Sequence, residues 1–168
     1  MEMFKRILVC LDLTDIDPTL IEYSSFLAGI AGTEKVFFFH AVQQYDIPRK
    51  TSRKMEESHI NVERMVREEL EETIYNHFPR KIETELITRV EPEDAASSIV
   101  DFIEGEQIQL TIIGQKAGEE RSGQYGKDVA ARAKSHVLFV PEGTGLGIDH
   151  ILFGSDFSQE SEKAFELT

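Results

Sequence analysis

Apolar residues in this chain alternate between short unbroken runs and stripes at helical spacing. Arg6 to Leu13 (RILVCLDL) is a continuous apolar run with β-branched members, the pattern of a strand buried on both faces of a parallel sheet. Asp15, Asp17 and Pro18 then supply helix-start chemistry, and Leu20, Tyr23, Phe26, Leu27 and Ile30 follow at helical spacing until Gly32 stops the helix. Lys35 to Val42 (KVFFFHAV) repeats the buried-strand pattern. Val62, Val66, Leu70, Ile74 and Phe78 then predict an amphipathic helix ended by Pro79. Glu85 to Val90 fits a third strand, Pro92 to Ile103 a third helix opening with Glu93 and Asp94, and Leu110 to Ile113 a fourth strand ending at Gly114. Gly114 to Gly126 is polar and glycine-bearing, Lys127 to Lys134 a short helix candidate, and His136 to Val140 a fifth strand closed by Pro141.

Strands that alternate with helices imply right-handed crossovers, and the expected fold class is therefore α/β with a doubly wound, open parallel sheet. One such domain is expected over residues 1–144. Beyond it the chain begins to repeat itself: His150 to Ser158 (HILFGSDFS) set against Arg6 to Thr14 (RILVCLDLT) matches Ile, Leu and Asp in register. Residues 145–168 can be a strand and helix decorating the first domain. The favoured expectation is a linker followed by the first strand and helix of a truncated second repeat, because the Asp falls at the same place after the strand.

Composition narrows the partners. The 168 residues carry 18 Lys+Arg against 31 Asp+Glu, a formal charge of -13. That field repels phosphate backbones and anionic lipid over roughly a Debye length of about 8 Å, so neither nucleic acid nor membrane is expected as a partner. It excludes a groove and not a pocket, since local dipoles can still hold a small anion. The single Cys10 cannot form an intramolecular disulfide and suits a small core position in a reducing compartment. The N-terminus has no signal-peptide core and no stretch approaches the ~18 apolar residues of a membrane span, so the cytoplasm is the expected location.

The first strand ending in Asp12, the VFFFHAV strand with His40 near its end, the TIIG strand entering a glycine loop and the HVLFVP last strand resemble, in that order and spacing, the universal stress protein family. The resemblance spans Phe4 to about Glu142. It implies a five-stranded sheet of order 3-2-1-4-5 with the adenine nucleotide alpha hydrolase-like fold, and a ligand at the switch point between the first and fourth strands. It also implies a regulatory role in stress physiology, with a homodimer or a second domain of the family as partner. Nucleotide-binding members carry Gly-x2-Gly-x9-Gly and then Ser or Thr after the fourth strand. The stretch here is GQKAGEERSGQYGKD, in which Gly123 takes the third glycine's place, Gly118 comes one position late and Gln124 stands where the hydroxyl would be. Carried over residue by residue, the resemblance puts Asp12 and the backbone of Ala41 on adenosine, and Gly114, Gly118 and Gly123 near the phosphates of ATP.

Each feature also has a purely structural explanation. The glycine loop with Lys116, Arg121 and Lys127 can be an anion site or a solvated loop. Asp12 can accept a hydrogen bond from adenine or ribose, or cap the following turn. Asp12, Asp15 and Asp17 lack the glycine and distal Glu of a calcium loop and fit helix-start carboxylates. The five histidines show no zinc spacing, and His40 fits a satisfied strand-end residue. Arg49, Lys50, Arg53 and Lys54 form a basic cluster that is a solvated loop unless it folds over the crevice. No G-x-S-x-G or Walker-type motif is present, so a self-sufficient enzyme is not expected. Two readings stay open: a nucleotide- or anion-responsive regulatory domain, and an interaction module without nucleotide.

Overall fold

In the computed structural model, which describes residues 4–43, 59–79, 81–91, 94–116, 120–159 and 161–162, the apolar runs become five parallel strands. They are β1 (Arg6–Leu11), β2 (Lys35–Gln43), β3 (Glu83–Glu91), β4 (Leu110–Gln115) and β5 (His136–Pro141), in the order β3-β2-β1-β4-β5. Between them run helices α1 (Asp17–Ala31), α2 (His59–His77), α3 (Ala95–Gly105) and α4 (Glu120–Arg132). Among the described residues no helix is long and apolar enough to cross a membrane.

Because side chains alternate along a strand, the unbroken run of β1 serves two cores at once. Ile7, Val9 and Leu11 pack with α1 and α2 on one face, while Leu8 and Cys10 pack with α3 and α4 on the other. The Phe37–Phe38–Phe39 run on β2 divides likewise. Phe37 meets Phe102 edge-on at 5.4 Å on one face, and Phe38 meets Phe78 at 5.6 Å on the other. Gly32 closes α1 in the left-handed conformation (φ 70°), its N–H bonded to the Ala28 carbonyl, as its place after the last apolar residue implies.

Three differences from expectation have local causes. β1 stops at Leu11 because Leu13 takes φ 60° and turns the chain. α4 begins at Glu120, well before Lys127, and takes in glycines expected in a loop. Helix propensity there is poor, but the buried Val129 shares a core cluster with Ile113 and Gly126 lies against Phe139 and Ile113, and packing overrides propensity. A Cβ on Gly126 would stand 2.8 Å from the Phe139 ring, so this glycine sets how closely α4 approaches β5. Finally, His150 to Ser155 carries a strand pattern but forms no strand, since among the described residues no strand pairs with it in a ladder.

Candidate functional site

The crossover after β1 packs on one face of the sheet and the helix leading into β4 on the other, so a crevice opens above the carboxyl ends of β1 and β4. The loop leaving β1 forms its rim. Asp12 is exposed, Leu13 is left-handed, and Thr14 donates its hydroxyl to the Asp12 carboxylate. A left-handed leucine costs on the order of 1–2 kcal/mol, so something must hold it. That group is Asp17, buried in the first turn of α1. Its Oδ1 accepts the Asp12 N–H at 3.2 Å and its Oδ2 the Leu13 N–H at 2.9 Å. The Asp17 N–H returns to the Thr14 carbonyl at 3.0 Å.

Burial pushes the Asp17 carboxyl up from 3.8 to about 7; the N–H of Asp12 opposes the rise and the charge of Asp12 adds to it. Below the rim, His40 Nδ1 donates to the Leu11 carbonyl at 2.9 Å, which ties the end of β2 to the end of β1. A carbonyl can only accept, so Nδ1 carries the hydrogen. His40 is thus the satisfied strand-end residue expected of it.

Asp12, Ala41 and Gly114 do come together. Leu11 pairs with His40 and Cys10 with Ile113, so the next residues along all three strands meet at one end of the sheet. Gly114 also has a packing role, because a Cβ there would lie 3.2 Å from both Ile16, just before α1, and Leu20 on it. Gly123 falls in the first turn of α4. Gly118, Arg49, Lys50, Arg53 and Lys54 lie outside the described residues.

Lys116, expected to add positive charge for an anion, instead points its Nζ to within 3.6 Å of the Asp12 carboxylate. It shares a hollow of about 430 Å³ with Leu13, Thr14, Asp15, Ile16 and Glu142. Sequence reasoning missed three features here: the burial of Asp17, the Asp12–Lys116 pair and the presence of Glu142. A larger hollow of about 710 Å³ lies away from the switch point, between α2 and β3. Its cation, Arg67, is already committed to Glu71 at 3.0 Å and to the Leu86 carbonyl at 3.1 Å, so the hollow offers a ligand little charge.

An open parallel sheet of this order, with helices on both faces and a polar crevice at its switch point, is the adenine nucleotide alpha hydrolase-like fold. The chain belongs to the Universal stress protein family, whose model matches residues 3–141. It is similar to a universal stress family protein from Burkholderia pseudomallei, with 18% identity, a TM-score of 0.62, and coverage of 84% of this chain and 98% of the other. It is also similar to the universal stress protein from Archaeoglobus fulgidus in complex with dAMP, at 17% identity and TM-score 0.51, covering 82% and 98%. A universal stress protein in complex with cAMP matches at 14% identity and TM-score 0.53, covering 83% and 98%. No curated protein matches the chain by sequence.

Proposed function

We propose that this protein is a regulatory domain that binds an adenine nucleotide, or another small anion, at the β1/β4 switch point. Bound ligand biases its conformation or pairing, and any hydrolysis is incidental. The observation that carries this reading is the exposed Asp12 carboxylate at the end of the central strand, on a loop held in one conformation by the buried Asp17. A carboxylate so placed can accept from ribose hydroxyls or an adenine amino group without reorganising. The dAMP and cAMP complexes of two proteins with this fold support an adenine nucleotide as the ligand class. ATP is the ligand that the glycine stretch would serve, with Gly114, Gly118 and Gly123 near its phosphates. Mass spectrometry of the supernatant after heat denaturation tests the reading. An adenine nucleotide near one per chain is expected, and its absence, with no binding of AMP, cAMP or ATP in calorimetry, would defeat it.

The second reading is an interaction module that pairs through β5 with a second copy or a second domain of the family. The Asp12–Lys116 pair favours it, because Lys116 Nζ at 3.6 Å competes for the carboxylate a nucleotide would use. So does β5 itself, an edge strand whose sequence HVLFVP has no carboxylate, lysine or arginine to discourage a neighbour.

A further inference from the structure

Asp12 is the first residue beyond β1 and Lys116 the first beyond β4, the two paired strands between which the crevice opens. Their side chains meet across its mouth, with Lys116 Nζ 3.6 Å from Asp12 Oδ2. The other carboxylate oxygen takes the Thr14 hydroxyl from within the same loop. Among the described residues Lys116 is therefore the group that ties the Asp12 carboxylate to the β4 side of the crevice.

Asp15 and Glu142 line the hollow beside Lys116, but among the described residues only Asp12 stands within ion-pair reach of the ammonium. At 3.6 Å the contact is too long for a hydrogen bond, so it is an attraction of charges that engages none of the ammonium's N–H donors on Asp12. The two partners are unequally placed. The Lys116 side chain is 19% exposed and that of Asp12 53%. Parting them leaves Asp12 in water and Lys116 mostly covered, and a covered charge that loses its partner carries the larger penalty.

The loop needs no rearrangement for a ligand to enter, because the Asp17 carboxylate already holds the N–H groups of Asp12 and Leu13. What a ligand must displace is Lys116. A nucleoside offers hydroxyl and amino donors to Asp12 and no anion to the ammonium. A nucleotide also carries a phosphate, which can take up the displaced Lys116 in charge-assisted hydrogen bonds, shorter and stronger than the contact they replace.

We propose that the Asp12–Lys116 pair is a latch across the crevice that a phosphate opens, and that Lys116 is the residue that makes the site select adenine nucleotides over adenosine. This selectivity rests on the nucleotide reading of the crevice. Titration calorimetry of AMP and adenosine on the parent chain and on Lys116→Met tests it. AMP should bind the parent at least tenfold more tightly than adenosine. In the variant AMP should weaken at least tenfold, as the loss of a charged hydrogen bond implies, while adenosine should tighten about threefold, the size of a partly exposed ion pair no longer in its way. Lys116→Gln, equally uncharged, should show the same two shifts. Their opposite signs are the signature, because damage to the fold would weaken both ligands. Adenosine that fails to tighten, or AMP that fails to weaken, would overturn the proposal and leave the crevice reading standing. If neither ligand binds the parent or either variant, the crevice itself fails as a nucleotide site and the latch falls with it.

Discussion

The buried carboxylate of Asp17 accepts the backbone N–H of Asp12 at 3.2 Å, so one aspartate fixes the position of another whose own side chain is exposed beside Lys116. The rim of the site is therefore held from within the first turn of α1. A change in the charge of Asp17 acts on the loop that presents Asp12.

That coupling has a definite pH signature. With its pKa raised from 3.8 to about 7, Asp17 keeps a proton in the folded protein that the unfolded chain has already released. Its contribution to stability is thus full below about pH 4 and is lost as pH rises to about 7. Asp17→Asn cannot ionise, but it keeps one oxygen for one of the two N–H groups and turns an NH2 to the other, a cost that does not vary with pH. In thermal melts the parent should lose several degrees relative to the variant between pH 4 and pH 8. A gap that does not vary with pH would contradict the raised pKa.

Asp12→Ala should leave folding nearly intact, with Tm within about 2 °C, because the residue is exposed and its ion pair with Lys116 is worth about 0–1 kcal/mol. Adenine-nucleotide affinity should fall at least tenfold in titration calorimetry. Unchanged affinity would remove Asp12 from the site.

Gly126→Ala sets two effects against each other. Helix propensity gains about 1 kcal/mol, but the new methyl meets the Phe139 ring, and overpacking costs about 1–3 kcal/mol. A net loss is expected in the parent. In a Phe139→Ala background the ring is gone and the same change should stabilise. Denaturant titrations of the four proteins read the sign reversal directly, and its absence would show that α4 does not pack on β5 this way.

Pairing through β5 predicts a dimer at micromolar concentration by light scattering and sedimentation. Val137→Lys with Phe139→Lys should give monomers, since two added charges on an edge strand repel their counterparts. A strict monomer whose 136–140 amides exchange freely would sink the pairing reading.

Most of the fold was legible in the sequence because a strand buried on both faces leaves an unbroken apolar run, as RILVCL and KVFFF do. Asp12 stood out because it ends such a run. Asp17 did not, since a carboxylate just before a helical stripe looks like an ordinary helix start wherever its side chain goes. Gly126 looked like a loop residue because its reason for being glycine is a ring on β5.

The sequence by itself determined the alternation of strands and helices, hence a parallel sheet with two covered faces, because burial periodicity is written locally along the chain. It also placed the one carboxylate that ends the central strand. Tertiary structure decided the rest: that Asp17 is buried and holds the Asp12 loop, that Lys116 turns to Asp12, and that Ile151 and Leu152 stay exposed while Ile7 and Leu8 are covered. The physical reason is that burial, charge pairing and ladder formation depend on which distant segments arrive beside a residue. Two stretches with the same local pattern, β1 and His150 to Ser155, therefore end in opposite environments.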